Sequence, residues 1–332
     1  MREPAFWWQP PGPAAGLLAP VAAVYGAIAA ARMAKAGTGA GVPVLCVGNF
    51  TLGGAGKTPT TIMLARLLQD AGGRPFCLSR GYGGSTPGPK RVDPHKDGAA
   101  LVGDEALLLA HFAPTVVARD RVAGAEIAKA TGASVIVMDD GLQNPSLVKN
   151  LALAVVDGRR GIGNGKVFPA GPLRAPLTAQ LAKTDALLVV GDHDRARDVV
   201  AAANARGLPV LHGRLVPDPH AVAELKARKV LAFAGIGDPE KFFATAESAG
   251  IAVARRRAFP DHHAFTAEEA AALVMQAEHN GLALLTTEKD RARMTGVPAL
   301  AALAAKSHVL PVTMIVEEFA ALRAMIAAKV GR

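Results

Sequence analysis

The segment Thr51-Leu52-Gly53-Gly54-Ala55-Gly56-Lys57-Thr58 follows an apolar run and leads into a helical one. In that context a glycine-rich loop can turn its backbone N–H groups around phosphate oxygens. The glycines avoid Cβ collisions, and the helix N-terminus adds partial positive charge and free donors. Residues 51–58 are thus expected to hold the phosphates of ATP, Lys57 to neutralise the β and γ phosphates, and Thr58 to offer its hydroxyl to Mg2+. Pro59 is tolerated in the first helical turn, where its missing N–H costs little. Thr51 departs from the usual pattern, standing where the first glycine normally is.

A phosphate loop of this kind needs a carboxylate for the metal. Ser134-Val135-Ile136-Val137-Met138-Asp139-Asp140 supplies two, at the end of an apolar run that places them at the same sheet edge as the loop. Asp139 is expected to serve Mg2+, directly or through water, with Asp140 assisting. The simpler alternative is a double Asp that ends a strand and caps a turn. Gly103-Asp104-Glu105 precedes a helical stretch, where either acid could merely favour the helix N-terminus. Asp261-His262-His263 precedes Thr266-Ala267-Glu268-Glu269, a capping-box pattern. On its own, His262 reads as a surface neighbour of that cap, although a His beside a carboxylate could move a proton.

The chain that must position these groups has 332 residues, half of them hydrophobic and a fifth charged. A substantial core is affordable and global disorder is excluded. Apolar runs at Val42–Val47, Arg74–Ser79, Thr115–Ala118, Val135–Met138, Leu151–Val156 and Ala186–Val190 alternate with helical stretches. Most are continuous rather than alternating, as parallel strands covered on both faces require. The expected fold is α/β, a doubly wound P-loop sheet. A second series (Val230–Ala234, a helix at Pro239–Gly250, Ile251–Arg255, Leu282–Thr286, Val309–Val312, and a helix from Glu317) suggests a smaller α/β domain behind it. The expected division is residues 1–41 for an N-terminal apolar helix, 42–214 for the kinase domain and 215–332 for the smaller domain, joined around Val210–Asp218.

The net charge of +9 favours anionic partners without choosing among nucleic acid, phosphorylated small molecules and acidic membrane. Cys46 and Cys77 both sit in apolar runs, with no disulfide framework or zinc spacing. Between Ala14 and Ala31 there is no charge; as a helix this stretch would be about 27 Å long, just short of the roughly 30 Å hydrocarbon core. Pro20 interrupts it, and Leu17, Leu18, Val21, Val24, Tyr25 and Ile28 fall on one face. With Phe6, Trp7 and Trp8 before it and Arg32 and Lys35 after, it fits a helix lying in the headgroup region. A core-docking helix or a spanning segment are the alternatives.

Gly48-Asn49-Phe50-Thr51 with the phosphate loop and Pro59 resembles the lipid A 4′-kinase (tetraacyldisaccharide 4′-kinase) family. So do Ser79-Arg80-Gly81-Tyr82-Gly83, Val102-Gly103-Asp104-Glu105, Asp139-Asp140-Gly141-Leu142-Gln143, Pro169-Ala170-Gly171-Pro172-Leu173-Arg174, Asp261-His262-His263 and Thr287-Glu288-Lys289-Asp290. The motifs occur in family order and span essentially the whole chain. The resemblance implies transfer of the ATP γ-phosphate to the 4′-hydroxyl of a tetraacylated glucosamine disaccharide 1-phosphate, giving lipid IVA, at the cytoplasmic face of the inner membrane. It implies Asp104 with His262 as the base dyad, Asp139 and Asp140 at Mg2+ together with Glu105, and Asn49, Arg80 and Arg174 at the substrate. Ala175 departs from the family, which often carries Glu after Leu-Arg.

Two other readings compete. A regulatory or partitioning ATPase acting on a protein partner would carry a signature Lys just before the paired glycines, where this chain has Leu52. A nucleic-acid binder is suggested only by the charge and by Arg255-Arg256-Arg257, with no helix-turn-helix, zinc or aromatic RNA-binding signature. The partners expected are therefore a glycolipid and a membrane surface, with no nucleic acid and no obligate protein partner.

Overall fold

The continuous apolar runs become strands buried along their whole length, in a computed structural model that describes residues 3–331. Residues 1, 2 and 332 of the expected ranges lie outside the described residues. The strands are β1 (Val44–Gly48), β2 (Pro75–Ser79), β3 (Lys90–Arg91), β4 (Thr115–Val117), β5 (Val135–Asp139), β6 (Leu151–Asp157), β7 (Ala186–Val190), β8 (Val210–Pro217), β9 (Lys229–Ala234), β10 (Ala252–Ala258), β11 (Ala283–Thr286), β12 (Ser307–Val309) and β13 (Val312–Val316). Nine form one sheet in the order β13-β8-β7-β6-β1-β5-β2-β4-β3; the other four form a second, parallel sheet in the order β10-β9-β11-β12.

In the large sheet β1 is central, between β5 and β6; β2 to β5 fill one side of it and β6 to β8 the other, so the order switches at β1. Ligands bind such sheets at the carboxyl ends of the strands around that point. Helix α2 (Lys57–Asp70) starts there, directly after the glycine loop. One face of the sheet buries Cys46, Met138, Ala154 and Leu187; the other buries Leu45, Val137, Val155 and Leu188.

The end of the chain departs from the expected division at residue 214. Strand β8 extends through the region expected as a connection, and β13 returns to pair antiparallel with it, Met314 opposite Leu215. The reason is the alternation in Val312–Val316: Met314 and Val316 are buried while Ile315 is 42% exposed, the pattern of a one-sided edge strand. The helix Phe319–Val330 follows and buries Leu322 and Ile326 beside Leu64 and Val190. Residues 312–330 thus belong to the P-loop layer, and the smaller sheet is built from the segment between. The expected single strand at Val309–Val312 is divided at Leu310-Pro311, since Pro311 has no N–H to continue a ladder.

Helix α1 (Pro13–Met33) runs unbroken through Pro20. It turns its small residues inward: Ala15, Ala22 and Gly26 are buried, and a Cβ at Gly26 would stand 3.4 Å from the Pro176 ring. Its large apolar residues point away from the protein, with Leu17 84%, Val21 58%, Val24 62% and Ile28 65% exposed. Trp7 differs from the expectation of a headgroup anchor. It is 6% exposed, donates its indole N–H to the Pro169 carbonyl at 3.0 Å and meets the Phe168 ring edge-on. A buried indole N–H needs an acceptor, and the Phe168–Pro169 turn provides it.

Candidate active site

The glycine loop adopts the conformation that its residues demand. Gly53 (φ 95°) and Gly56 (φ 97°) are left-handed, where a side chain would be strained. Thr51 lacks such a φ, which is why a non-glycine residue is tolerated there; it forms an antiparallel bridge to Leu173 instead. Leu52 donates its N–H to the Pro172 carbonyl at 2.8 Å. Asn49, expected at the substrate, is fully buried and donates its amide to the Gly53 carbonyl at 3.2 Å. Its amide thus braces the loop from beneath, while its Oδ1 is buried without a partner.

Asp139 ends β5 directly beside Val47 of β1. Thr61 of α2 donates to its Oδ1 at 2.9 Å, while Oδ2 is buried without a partner. The hydroxyl of Thr58 is likewise buried and unpartnered. Unsatisfied buried oxygens are costly, so both atoms are open to a further donor or a cation. Burial, reinforced by the charges of Glu105 and Asp140, pushes the Asp139 carboxyl up to about 7. A cation there would reverse that shift.

Asp140 is one of only two non-glycine residues with positive φ among the described residues, at 49°. The turn aims its carboxylate at Arg174, whose Nη1 donates to both oxygens (2.8 and 2.9 Å), and brings Lys57 Nζ to 3.7 Å. Burial alone would raise the Asp140 pKa, but Arg174 and Lys57 hold it well below the usual carboxylate range. Burial in turn lowers the pKa of Lys57, an effect that Asp140 partly offsets. Arg174 Nε also donates to the Thr51 carbonyl at 2.8 Å, so one guanidinium ties the loop to the acid pair. Arg80 is exposed, and among the described residues no carboxylate pairs with it.

The other non-glycine residue with positive φ is His262, at 54°. Its Nδ1 lies 3.1 Å from Asp104 Oδ2, linking the small domain to the large one. Asp104 is 4% exposed, and its Oδ1 accepts the Glu105 N–H. Burial would raise its pKa, but the His262 hydrogen bond and the charges of Arg293 and Lys289 force it far down. For His262 the balance is reversed in kind: burial would lower its pKa, and the bond and charge of Asp104 raise it.

Two cations at this junction have no role in the sequence reading, although Lys289 lies in the Thr287–Asp290 motif. Arg293 Nε donates to Asp104 Oδ2 at 2.7 Å, while its Nη1 donates to Asp290 and to the Gly235 carbonyl, each at 2.7 Å. Lys289 Nζ donates to Glu105 at 2.6 Å. Glu105, expected as a metal ligand, is therefore neutralised by Lys289, although it stays near enough to Lys57 and Asp139 for their charges to interact. Arg121 was also missed: 2% exposed, it lends charge to Asp139 and Asp140 from below.

The small domain closes over the loop through its own glycines. A Cβ at Gly237 would stand 3.1 Å from the Gly54 nitrogen. Beside this contact Lys241 pairs with Asp157 (2.6 Å) and Asp238 takes Arg159 (2.8 Å) and Arg160 (3.3 Å). Arg160 also holds Glu3 at 2.8 Å, so the N-terminal segment reaches the same edge. The arginine run of β10 is spent locally, with Arg256 paired to Glu240 and Glu247.

Known proteins share these features. A family model described as tetraacyldisaccharide-1-P 4′-kinase matches residues 14–331. The chain is similar to tetraacyldisaccharide 4′-kinase from Rhodopseudomonas palustris (strain BisB5), 56% identical over 332 residues, covering 100% of this chain and 98% of the relative. It is also similar to the enzyme of that name from Methylobacterium sp. (strain 4-46), 59% identical over 329 residues, covering 99% of this chain and 98% of the relative. A crystal structure of LpxK from Aquifex aeolicus in complex with ATP superimposes with a TM-score of 0.74 at 27% identity, covering 95% of this chain and 99% of that one.

Proposed function

This chain belongs to the tetraacyldisaccharide-1-P 4′-kinase family, and on that premise we propose how its residues divide the work of an ATP-dependent lipid kinase. The enzyme makes the 4′-phosphorylated lipid of lipid A biosynthesis, which replaces the regulatory-ATPase alternative. The bond between the γ-phosphorus and the bridging oxygen of ATP breaks, and a bond to the acceptor's 4′-oxygen forms. The hydroxyl proton passes to the Asp104 carboxylate.

The observation that carries this division is the meeting of Asp104 and His262 across the domain boundary, 3.1 Å apart. Because the transition state of phosphoryl transfer is loose, the acceptor gains little from a strong base and much from position and charge. An ionised, buried Asp104 suits that demand. His262 and Arg293 fix its Oδ2, leaving a lone pair on Oδ1 for the acceptor. Lys57, on the P-loop, neutralises the transferring phosphate, and Arg174 and Asp140 keep loop and acids in register. Thr58 and Asp139 would hold Mg2+, whose charge neutralises the phosphates when bound; their two unpartnered oxygens fit that ligand set. Arg80 offers an unpaired charge to the acceptor's anionic groups.

We further place α1 in the cytoplasmic surface of the inner membrane, lying along it with Leu17, Val21, Val24 and Ile28 among the lipid chains. A four-chain substrate stays in the bilayer, since each buried methylene contributes about 0.8 kcal/mol, and the enzyme works where the substrate is. Incubating the protein with γ-labelled ATP and the disaccharide 1-phosphate in mixed micelles tests the activity. Label is expected in the lipid; ATP hydrolysis with unlabelled lipid would remove the assignment.

A further inference from the structure

A cavity of about 390 Å3 lies at the amino ends of β6 and β7, the opposite edge of the sheet from the glycine loop. Met33 closes α1 at its rim, and Lys35, Lys149, Lys183 and Asp185 line it. We propose that this cavity binds the phosphate of an anionic membrane phospholipid, as a second lipid contact separate from the catalytic one. The inference rests on the membrane reading of α1.

The walls are fixed before any ligand arrives. Thr38 donates its N–H to the Ser146 carbonyl at 2.8 Å, and Val148 donates back to the Thr38 carbonyl at 3.0 Å. Gly37 is pressed so closely on this segment that a Cβ would stand 2.6 Å from the Pro145 carbonyl oxygen. Lys149 is half-buried, and its amine donates to the carbonyls of Leu142 (2.9 Å) and Asn144 (2.8 Å). Two of its three N–H bonds are thereby used, the charge is held in place, and the third remains for a ligand.

The charge at this cavity is not balanced. Among the described residues no carboxylate pairs with Lys35, Lys149 or Lys183. Asp185 contributes the one acidic side chain of the lining, and its Oδ2 already accepts the Ala152 N–H at 2.7 Å. Burial and the neighbouring Lys183 charge both lower the pKa of Lys149, a strain that a bound anion would relieve. The volume has room for a glycerophosphate group.

Position selects the lipid over a free anion. Helix α1 begins close to the catalytic edge, where Trp7 docks on Pro169, and ends at the cavity rim. At 1.5 Å per residue its 21 residues span about 31 Å. A bilayer surface that covers Leu17, Val21, Val24 and Ile28 therefore passes both ends, and phospholipid phosphates are concentrated where the cavity opens.

Flotation on vesicles of phosphatidylcholine, with and without phosphatidylglycerol, tests this in the full chain. Wild type is expected to bind the anionic vesicles more tightly. The exposed pair Lys35→Ser and Lys183→Ser should lose about 25-fold of that increment, roughly fivefold per lysine, while binding pure phosphatidylcholine like wild type. An unchanged melting curve shows that the variant is folded. If the double variant keeps the whole increment, or wild type shows none, the cavity is not a headgroup site. Glycerol 3-phosphate in solution should not abolish the increment at millimolar concentration; if it does, the ligand is a free phosphate and the lipid assignment falls. Failure of wild type to float on either vesicle would instead overturn the membrane reading of α1.

Discussion

Arg293 and His262 converge on the same oxygen, Oδ2 of Asp104, at 2.7 and 3.1 Å, from a domain separated from it by more than 150 residues of chain. With both partners on Oδ2, the other oxygen, Oδ1, accepts the Glu105 N–H and keeps a lone pair for a further donor. If Asp104 is the base, as proposed, its setting is contingent on the two domains being together.

Replacing Asp104 by Asn keeps the shape and removes the negative charge. The turnover number should fall by about 10²- to 10⁴-fold, the usual worth of a positioned base, with ATP affinity nearly unchanged. Steady-state kinetics with an independent ATP-binding measurement would separate the two. Weaker ATP binding at an unaltered kcat would contradict the assignment.

The Asp104–His262 contact should make stability depend on pH in a definite direction. The folded pKa of His262 is raised above its ordinary 6.5. Protonated His262 therefore adds stability that is full below the unfolded value and is lost as pH rises through the folded one. The melting temperature of wild type should exceed that of His262→Gln most near pH 6, and the difference should shrink on the alkaline side. A difference that grows with pH would refute this account of the pair.

Lys57→Ala removes the ammonium on the transferring phosphate, and turnover should drop by about 10³-fold or more. Arg174→Lys is the subtler probe. Lys cannot hold both Asp140 oxygens and the Thr51 carbonyl at once, so KM for ATP should rise several-fold while the fold is kept. An unchanged KM would show that the guanidinium is dispensable for holding the loop.

Val21→Asp with Val24→Asp places two charges on the outward stripe of α1. Because these positions are 58% and 62% exposed, folding should survive, and the protein should shift from the membrane fraction to the soluble one. Its activity on detergent-dispersed acceptor should persist. Retention in the membrane pellet would mean that another surface carries the attachment.

Local pattern made much of this molecule legible. Ala186–Val190 is a strand because every residue is apolar, and both of its faces are covered. The glycine loop was legible because left-handed backbone at 53 and 56 admits almost nothing but glycine. Arg293 and Lys289 were not, since a salt bridge to residue 104 or 105 has no local periodicity to betray it. Trp7 misled for a related reason: an aromatic beside an apolar helix looks the same whether its acceptor is a headgroup or the Pro169 carbonyl. Strand β13 was obscured by Pro311, which divides one apolar run between two sheets.

The return of β13 beside β8 has a consequence for how the molecule can be rearranged. Asp218 donates its N–H to the Pro311 carbonyl at 2.9 Å, so the small sheet leaves and re-enters through adjoining points. A segment whose two ends touch can be removed or exchanged without pulling its host apart. A short turn joining Pro217 to Val312 would make β8 and β13 a simple hairpin, and a core that keeps the glycine loop but lacks His262 and Arg293 should still fold. On the proposed division of roles, phosphate binding and phosphate transfer would then be separable modules of one chain.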